Sequence, residues 1–140
     1  MEMDKLTVEA KTENLEEVLG FVDRHLEAMD CSPKVSVQID VAVEELFVNI
    51  AHYAYSPGTG SATIGVEILK DPAAIAITFT DRGKPFDPLA KEDPDITLSA
   101  EERQIGGLGI YMVKKSMDEV VYEYKDGQNI LRIKKDLDIL

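Results

Sequence analysis

Hydrophobic residues recur along the chain with two different periods, and these periods predict five strands and three helices. Strands are predicted where apolar residues occupy every second position, at Leu6–Ala10, Ile64–Ile68, Ile75–Thr80, Val120–Tyr124 and Ile130–Lys134. Helices are predicted where the apolar period is close to 3.6 residues, at about 14–29, 32–53 and 108–117. The order β-α-α-β-β-loop-α-β-β favours an α+β fold, in which helices cover one face of a largely antiparallel sheet.

Short sequence signals mark the ends of these elements. Thr12 or Asn14 can cap the first helix, and Ser32 can cap the second because Pro33 then occupies its first turn. Two turns, Lys70-Asp71-Pro72 and Asp126-Gly127, join consecutive strands into antiparallel hairpins.

Composition and charge narrow the class of protein. A chain of 140 residues predicts a single domain, here spanning 1–140. The net charge of -12 disfavours nucleic acid as a partner. The lone Cys31 excludes an internal disulfide. The chain also shows no secretion signal and no apolar run of the roughly 18 residues that span a membrane, so we expect a cytoplasmic protein without a membrane partner.

The second predicted helix carries the first chemical motif, Glu45-x-x-x-Asn49. Its apolar positions fall within roughly 40° of one another around the helix axis; these are Ile39, Val43, Leu46 and Ile50. Glu45, Asn49 and His52 cluster on the far side within about 60°. This face presents a carboxylate, a carboxamide and an imidazole. It is either a functional surface or an ordinary solvated polar face.

Two further motifs follow the third predicted strand. Asp81-Arg-Gly-Lys-Pro-Phe-Asp-Pro begins where that strand ends. There an aspartate can accept a hydrogen bond from an exocyclic amine, or can simply form an Asp-x-Gly turn. Gly106-Gly-Leu-Gly-Ile opens the third helix, where glycines allow phosphate oxygens to approach free N–H groups, or act only as a hinge.

The order and spacing of these motifs resemble those of the GHKL superfamily of ATP-binding domains. Within it, the chain is most similar to the anti-sigma factor serine/threonine protein kinases, which carry E-x-x-x-N, D-x-G-x-P-F-D-P and G-G-x-G motifs. The resemblance covers roughly Leu6 to Lys134. It implies a GHKL or Bergerat-type fold, a two-layer sandwich of a largely antiparallel or mixed sheet with three helices on one face.

The resemblance also implies a role for individual residues. Asn49 matches the asparagine that coordinates Mg²⁺, and Glu45 matches the general base, with Glu44 as the alternative. Asp81 matches the residue that receives the adenine amino group, with Gly83 beside it.

Further nucleotide contacts are implied around these residues. His52 and Tyr53 occupy positions where family members place a phosphate-contacting side chain. Gly107 and Gly109 match glycines that allow a lid, at about 88–105, to close over the phosphates. The remaining implied nucleotide contacts are Phe86, Leu108, Ile110 and Arg103. Arg103 can instead be a surface residue paired with Glu101 or Glu102.

Family members of this type use ATP and Mg²⁺ to phosphorylate a serine or threonine of a small antagonist protein, and they sequester a sigma factor, often as homodimers. The resemblance therefore implies a kinase that regulates transcription. An alternative is an ATP-responsive module that captures a partner without phosphorylating it. A detached catalytic half of a histidine kinase is disfavoured, because helices for dimerisation and phosphoacceptance are missing from the sequence.

Overall fold

The computed structural model describes residues 3–70, 72–90 and 108–137. Its helices and strands follow the predicted order, which confirms the α+β assignment. They are β1 (Asp4–Glu9), α1 (Leu15–Ala28), α2 (Pro33–Tyr53), β2 (Ser61–Leu69), β3 (Ala74–Asp81), α3 (Leu108–Ser116), β4 (Glu119–Lys125) and β5 (Gln128–Asp136).

The five described strands form one sheet in the order β1-β2-β3-β5-β4. All of their pairings are antiparallel, as the two predicted hairpins require. The central strand, β3, pairs with both β2 and β5. In this register, Asp81 at the end of β3 lies opposite Asn129 near the start of β5. The topology therefore brings two polar residues from distant parts of the sequence to one end of the sheet.

The core lies between one face of the sheet and the three helices, which is the predicted two-layer arrangement. The largest fully buried side chains include Phe79 from the sheet and Phe47, Leu26 and Ile39 from the helices. Burying each such side chain stabilises the fold by about 1.5–3 kcal/mol. This apolar layer holds α2 against β3, and both elements contribute to the candidate site.

The capping predictions had different outcomes at the two helices. At α2, Ser32 Oγ accepts a hydrogen bond from the backbone N–H of Val35 at 3.3 Å, and Pro33 occupies the first turn. At α1, Asn14 is the N-cap residue, as predicted, but its side chain makes no capping hydrogen bond. Its Nδ2 atom donates to the backbone oxygen of Glu9 at 2.9 Å. The short 3-10 turn Thr12–Asn14 leads into α1 instead.

Most of the predicted lid lies outside the described residues. Within it, Pro88–Ala90 forms a 3-10 turn. Residues 91–107, including Arg103 and Gly107, lie outside the described part of the chain. None of the described helices is both long and apolar enough to cross a membrane.

Candidate functional site

A cleft opens at the end of the sheet where β3 and β5 meet the C-terminal half of α2. It encloses about 470 Å³, including its open mouth. It is lined by Leu46, Asn49, Ile50, Tyr53, Ala54, Phe79, Asp81, Lys84, Phe86, Pro88, Tyr122, Asn129 and Leu131. Four of the residues proposed from the sequence, Asn49, Tyr53, Asp81 and Phe86, therefore share one cavity.

Asp81 occupies an inward-facing position at the end of β3 and is 6% exposed. Its Oδ1 atom accepts hydrogen bonds from the backbone N–H of Gly83 at 2.8 Å and from Nδ2 of Asn129 at 3.0 Å. The first bond is the Asp-x-Gly turn that the sequence allowed. Asp81 therefore forms the turn and also lines the cleft. The hydrogen bond that closes the turn is one of the two that satisfy its buried carboxylate.

Gly83 allows the chain after β3 to pack against the end of α2. A Cβ atom at this position would overlap the backbone carbonyl of Ala54. The next residue, Lys84, donates its backbone N–H to the same carbonyl at 2.9 Å. The structure thus gives Gly83 a reason to be glycine that is independent of any ligand.

Glu45 lies against the start of α3. A Cβ atom at Gly109 would overlap the Glu45 carboxylate, so the glycine allows the two helices to approach at this point. Glu45 is half-buried, whereas its neighbour Glu44 is exposed. Part of the polar face of α2 is therefore covered by α3 and is not simply solvated. Asn49 lies one turn further along α2, about 6 Å away between Cβ atoms, and lines the cleft.

Two other residues proposed from the sequence, His52 and Ile110, do not line the cleft. His52 is exposed, and its ring meets the Tyr53 ring edge-on at 6.0 Å between centroids. Ile110 is buried in the hydrophobic core. Leu108 is the first residue of α3.

Three polar residues of the cleft lining were not anticipated from the sequence: Lys84, Tyr122 and Asn129. Burial raises the pKa of the Tyr122 hydroxyl above its ordinary value. Asn129 is 7% exposed and shares the inward face of β5 with Leu131 and Ile133. A polar residue in register with buried apolar ones was the signal that could have identified it.

Comparison with known proteins identifies the family. The family model described as the histidine kinase-like ATPase domain matches residues 8–135. The serine/threonine-protein kinase BtrW of Bordetella bronchiseptica is 24% identical over 102 residues, 73% of this chain and 71% of that protein. The serine-protein kinase RsbW of Listeria monocytogenes is 28% identical over 100 residues, 69% of this chain and 63% of that protein.

Solved structures share the fold. The RsbU and RsbW domains of a Mycobacterium tuberculosis protein match 96% of this chain and 32% of that chain, with a TM-score of 0.66 and 14% identity. The SiaB–SiaC complex of Pseudomonas aeruginosa matches 93% of this chain and 88% of that chain, with a TM-score of 0.59 and 18% identity. The fold, the cleft and the family match agree: the chain belongs to the histidine kinase-like ATPase domain family, and this membership implies the use of ATP.

Proposed function

We propose that this chain is an ATP-dependent serine/threonine protein kinase of the anti-sigma factor type. The observation that carries the proposal is the arrangement along α2, where Asn49 lines the same cleft as Asp81 and Glu45 lies one turn earlier against Gly109. The site thus offers an acceptor for the nucleobase (Asp81), an amide (Asn49) and, one helical turn away beside α3, a carboxylate (Glu45).

The cleft suits an adenine ring in its inner part. Ile50, Phe79 and Leu131 supply apolar walls, and Asp81 supplies a buried acceptor beside them. Ligand sites commonly combine such walls with a few fixed polar groups. Asp81 would accept a hydrogen bond from the exocyclic amine of adenine. Lys84, also in the lining, is a cation near the bound nucleotide that offsets part of the acidic character of the chain.

Asn49 fits the role of a Mg²⁺ ligand. Its side-chain carbonyl is a hard oxygen donor, and Mg²⁺ usually takes only one or two protein ligands together with phosphate oxygens and waters. When bound, the ion would neutralise charge on the ATP phosphates, which a protein of net charge -12 otherwise repels. The N-terminus of α3, next to Glu45, offers backbone N–H groups to the same phosphates.

Glu45 would act as the general base. As the serine or threonine oxygen of the substrate protein bonds to the γ-phosphorus of ATP, the bond from that phosphorus to the β–γ bridging oxygen breaks and ADP leaves. The hydroxyl proton passes to the Glu45 carboxylate. A positioned base of this kind typically contributes about 10²–10⁴-fold to the rate.

The resemblance and the relatives support a proposal about the protein partners. BtrW and RsbW are named as protein kinases, and SiaB was solved in complex with SiaC. We propose that this chain also binds a small protein, an antagonist that it phosphorylates, that it sequesters a sigma factor, and that it forms a homodimer. A surface this acidic favours partners with basic patches.

A second candidate function is a binding module that captures a partner in response to ATP without transferring phosphate. The cleft alone would serve that purpose equally well. The half-buried position of Glu45 beside Gly109 favours the kinase, because a module that only binds has no use for a carboxylate held next to the phosphate-binding end of a helix.

The test is capture of partners from the source lysate with and without Mg-ATP, followed by mapping of phosphorylated residues. A kinase should release a partner that carries a new phosphoserine or phosphothreonine, and the Glu45→Gln variant should capture that partner without modifying it. Capture that depends on ATP but never produces a phosphorylated partner would favour the binding module.

A further inference from the structure

The side-chain amide of Asn129 is hydrogen-bonded to other residues of the cleft lining. Its Nδ2 atom donates to Oδ1 of Asp81 at 3.0 Å and to the backbone oxygen of Lys84 at 2.8 Å. Its Oδ1 atom accepts from the backbone N–H of Phe86 at 3.1 Å and from the hydroxyl of Tyr122. A side-chain amide has two donor hydrogens and an oxygen with two lone pairs. All four are therefore used within the protein.

This bonding fixes the orientation of the amide. The backbone N–H of Phe86 can only donate, and the backbone oxygen of Lys84 can only accept. The Asn129 oxygen must therefore face Phe86 and its nitrogen must face Lys84. The nitrogen consequently also faces Asp81, whose Oδ1 atom acts as the acceptor.

The orientation of Asp81 follows from the same contacts. Oδ1 already accepts from Gly83 and Asn129, so this oxygen is bonded within the protein. Rotation of the carboxylate would break both bonds in a residue that is 6% exposed. The other oxygen, Oδ2, is left as the atom that a ligand can meet, and it offers only an acceptor.

We propose that Asn129 is a positioning residue that sets the specificity of the cleft for a base with an exocyclic amine. The proposal rests on the proposed ATP-binding function. Asn129 touches no ligand group itself, since its bonding capacity is used. It acts by holding Asp81 as a fixed acceptor, which matches the amine of adenine and opposes the carbonyl of guanine. Without it, Asp81 can turn or take up water, and the mismatch with guanine is relieved.

The competing role is purely structural, because Asn129 also holds the segment from Gly83 to Phe86 at the rim of the cleft. The two roles predict different results. Loss of a structural support weakens every nucleotide by a similar factor. Loss of a positioning residue changes the ratio of affinities between nucleotides that differ only in the base.

The experiment measures the dissociation constants of Mg-ATP, Mg-GTP and Mg-purine riboside triphosphate, which lacks the amine, by calorimetry. We expect the wild-type protein to prefer ATP to the other two by about 10–100-fold. In Asn129→Ala, the preference should shrink to within about threefold. The matched control is Gln128→Ala, which removes an amide from the neighbouring position of β5, outside the cleft lining; it should retain the wild-type preference.

A second variant, Asn129→Asp, tests the proposal if the alanine variant does not fold. It keeps the shape of the side chain, but it can donate to Asp81 only when a proton is shared between the two carboxyl groups. Its preference for ATP should therefore be weak near pH 8 and should recover as the pH is lowered, which a structural role does not produce. Failure of the wild-type protein to bind ATP would overturn the proposed function and this proposal together. Wild-type selectivity that is retained in both Asn129 variants, at all pH values, would overturn this proposal alone.

Discussion

Gly109 of α3 and Glu45 of α2 lie so close together that a single added methyl group would overlap the Glu45 carboxylate. The atoms it would meet are the far end of a flexible side chain. The Gly109→Ala protein should therefore fold, with Glu45 rotated away from its position. We expect phosphate transfer to fall by about 10²-fold, while unfolding in denaturant changes little.

The matched control for that prediction is Gly20→Ala. Gly20 lies in α1, and a Cβ atom there would meet nothing within 4 Å. Because alanine is the better helix former, this variant should be more stable by about 0.5–1 kcal/mol and should transfer phosphate at the wild-type rate. Normal transfer in Gly109→Ala would mean that the position of Glu45 has no bearing on catalysis.

Gly83 should give the opposite outcome from Gly109. A Cβ atom there would meet the backbone carbonyl of Ala54, which cannot rotate aside. The Gly83→Ala variant must therefore separate the chain after β3 from the end of α2 and lose the hydrogen bond to Lys84. We expect a loss of stability of about 1–3 kcal/mol together with weaker nucleotide binding, measured by urea unfolding and by calorimetry. A variant with wild-type stability would show that this packing contributes little.

Substitution of Glu45 should slow phosphate transfer, whereas substitution of Asn49 should weaken nucleotide binding. Glu45→Gln should bind Mg-ATP within a few-fold of the wild-type protein and should transfer phosphate about 10²-fold more slowly or worse. The matched control is Glu44→Gln, which changes the exposed neighbour and should have no effect. If Glu44→Gln is the defective variant, the base is Glu44 and the assignment must be exchanged.

Asn49→Ala should instead weaken the binding of the metal nucleotide. The loss should be larger when Mg²⁺ is present than when it is removed by a chelator, because the amide oxygen would bind the ion. Gln38→Ala is a suitable control, since it removes an amide from the same helix away from the cleft. An equal loss with and without Mg²⁺ would point to a contact with the nucleotide itself.

The helices and strands could be predicted because their signals are local. The second helix is an example: Ser32 and Pro33 mark its start, and the burial of Ile39, Val43 and Leu46 follows from their spacing alone. The position of Asp81 at the end of a strand was equally accessible. In each case the evidence lies within a few residues of sequence.

The polar contacts of the site could not be predicted in this way, because they join distant residues. Asn129 meets Asp81 only because β5 pairs with β3 in one particular register. The sequence of α2 does not show whether its polar face meets solvent, because α3, which covers Glu45, lies more than 50 residues further along the chain. The missing side-chain hydrogen bond at the N-cap of α1 has a similar cause, since the Asn14 side chain donates to the backbone oxygen of Glu9 at the end of β1.

The last prediction concerns two carboxyl groups that face each other between α1 and α2. Asp23 and Asp40 each have a buried Oδ1 atom without a hydrogen-bond partner. Burial, together with the neighbouring Asp23, raises the pKa of Asp40 from 3.8 to about 7. In the unfolded chain this carboxyl returns to its ordinary pKa. The native protein therefore retains a proton that the unfolded chain releases between about pH 4 and pH 7.

The sign of the pH dependence follows from this difference. Because the native state binds more protons over that range, the contribution of Asp40 to stability falls as the pH rises from about 4 to 7 and is constant above that. Asp40→Asn removes the charge and lets the amide donate to Asp23. At about pH 8 the variant should be more stable than the wild-type protein by about 1–2 kcal/mol, a figure reduced for the partial exposure of the pair. At about pH 4 the two proteins should be equally stable.

Urea unfolding across this range provides the measurement, with Glu27→Gln on the exposed surface of α1 as the control. If the stabilities of Asp40→Asn and the wild-type protein run parallel at all pH values, Asp40 ionises normally and the two carboxyl groups do not interact.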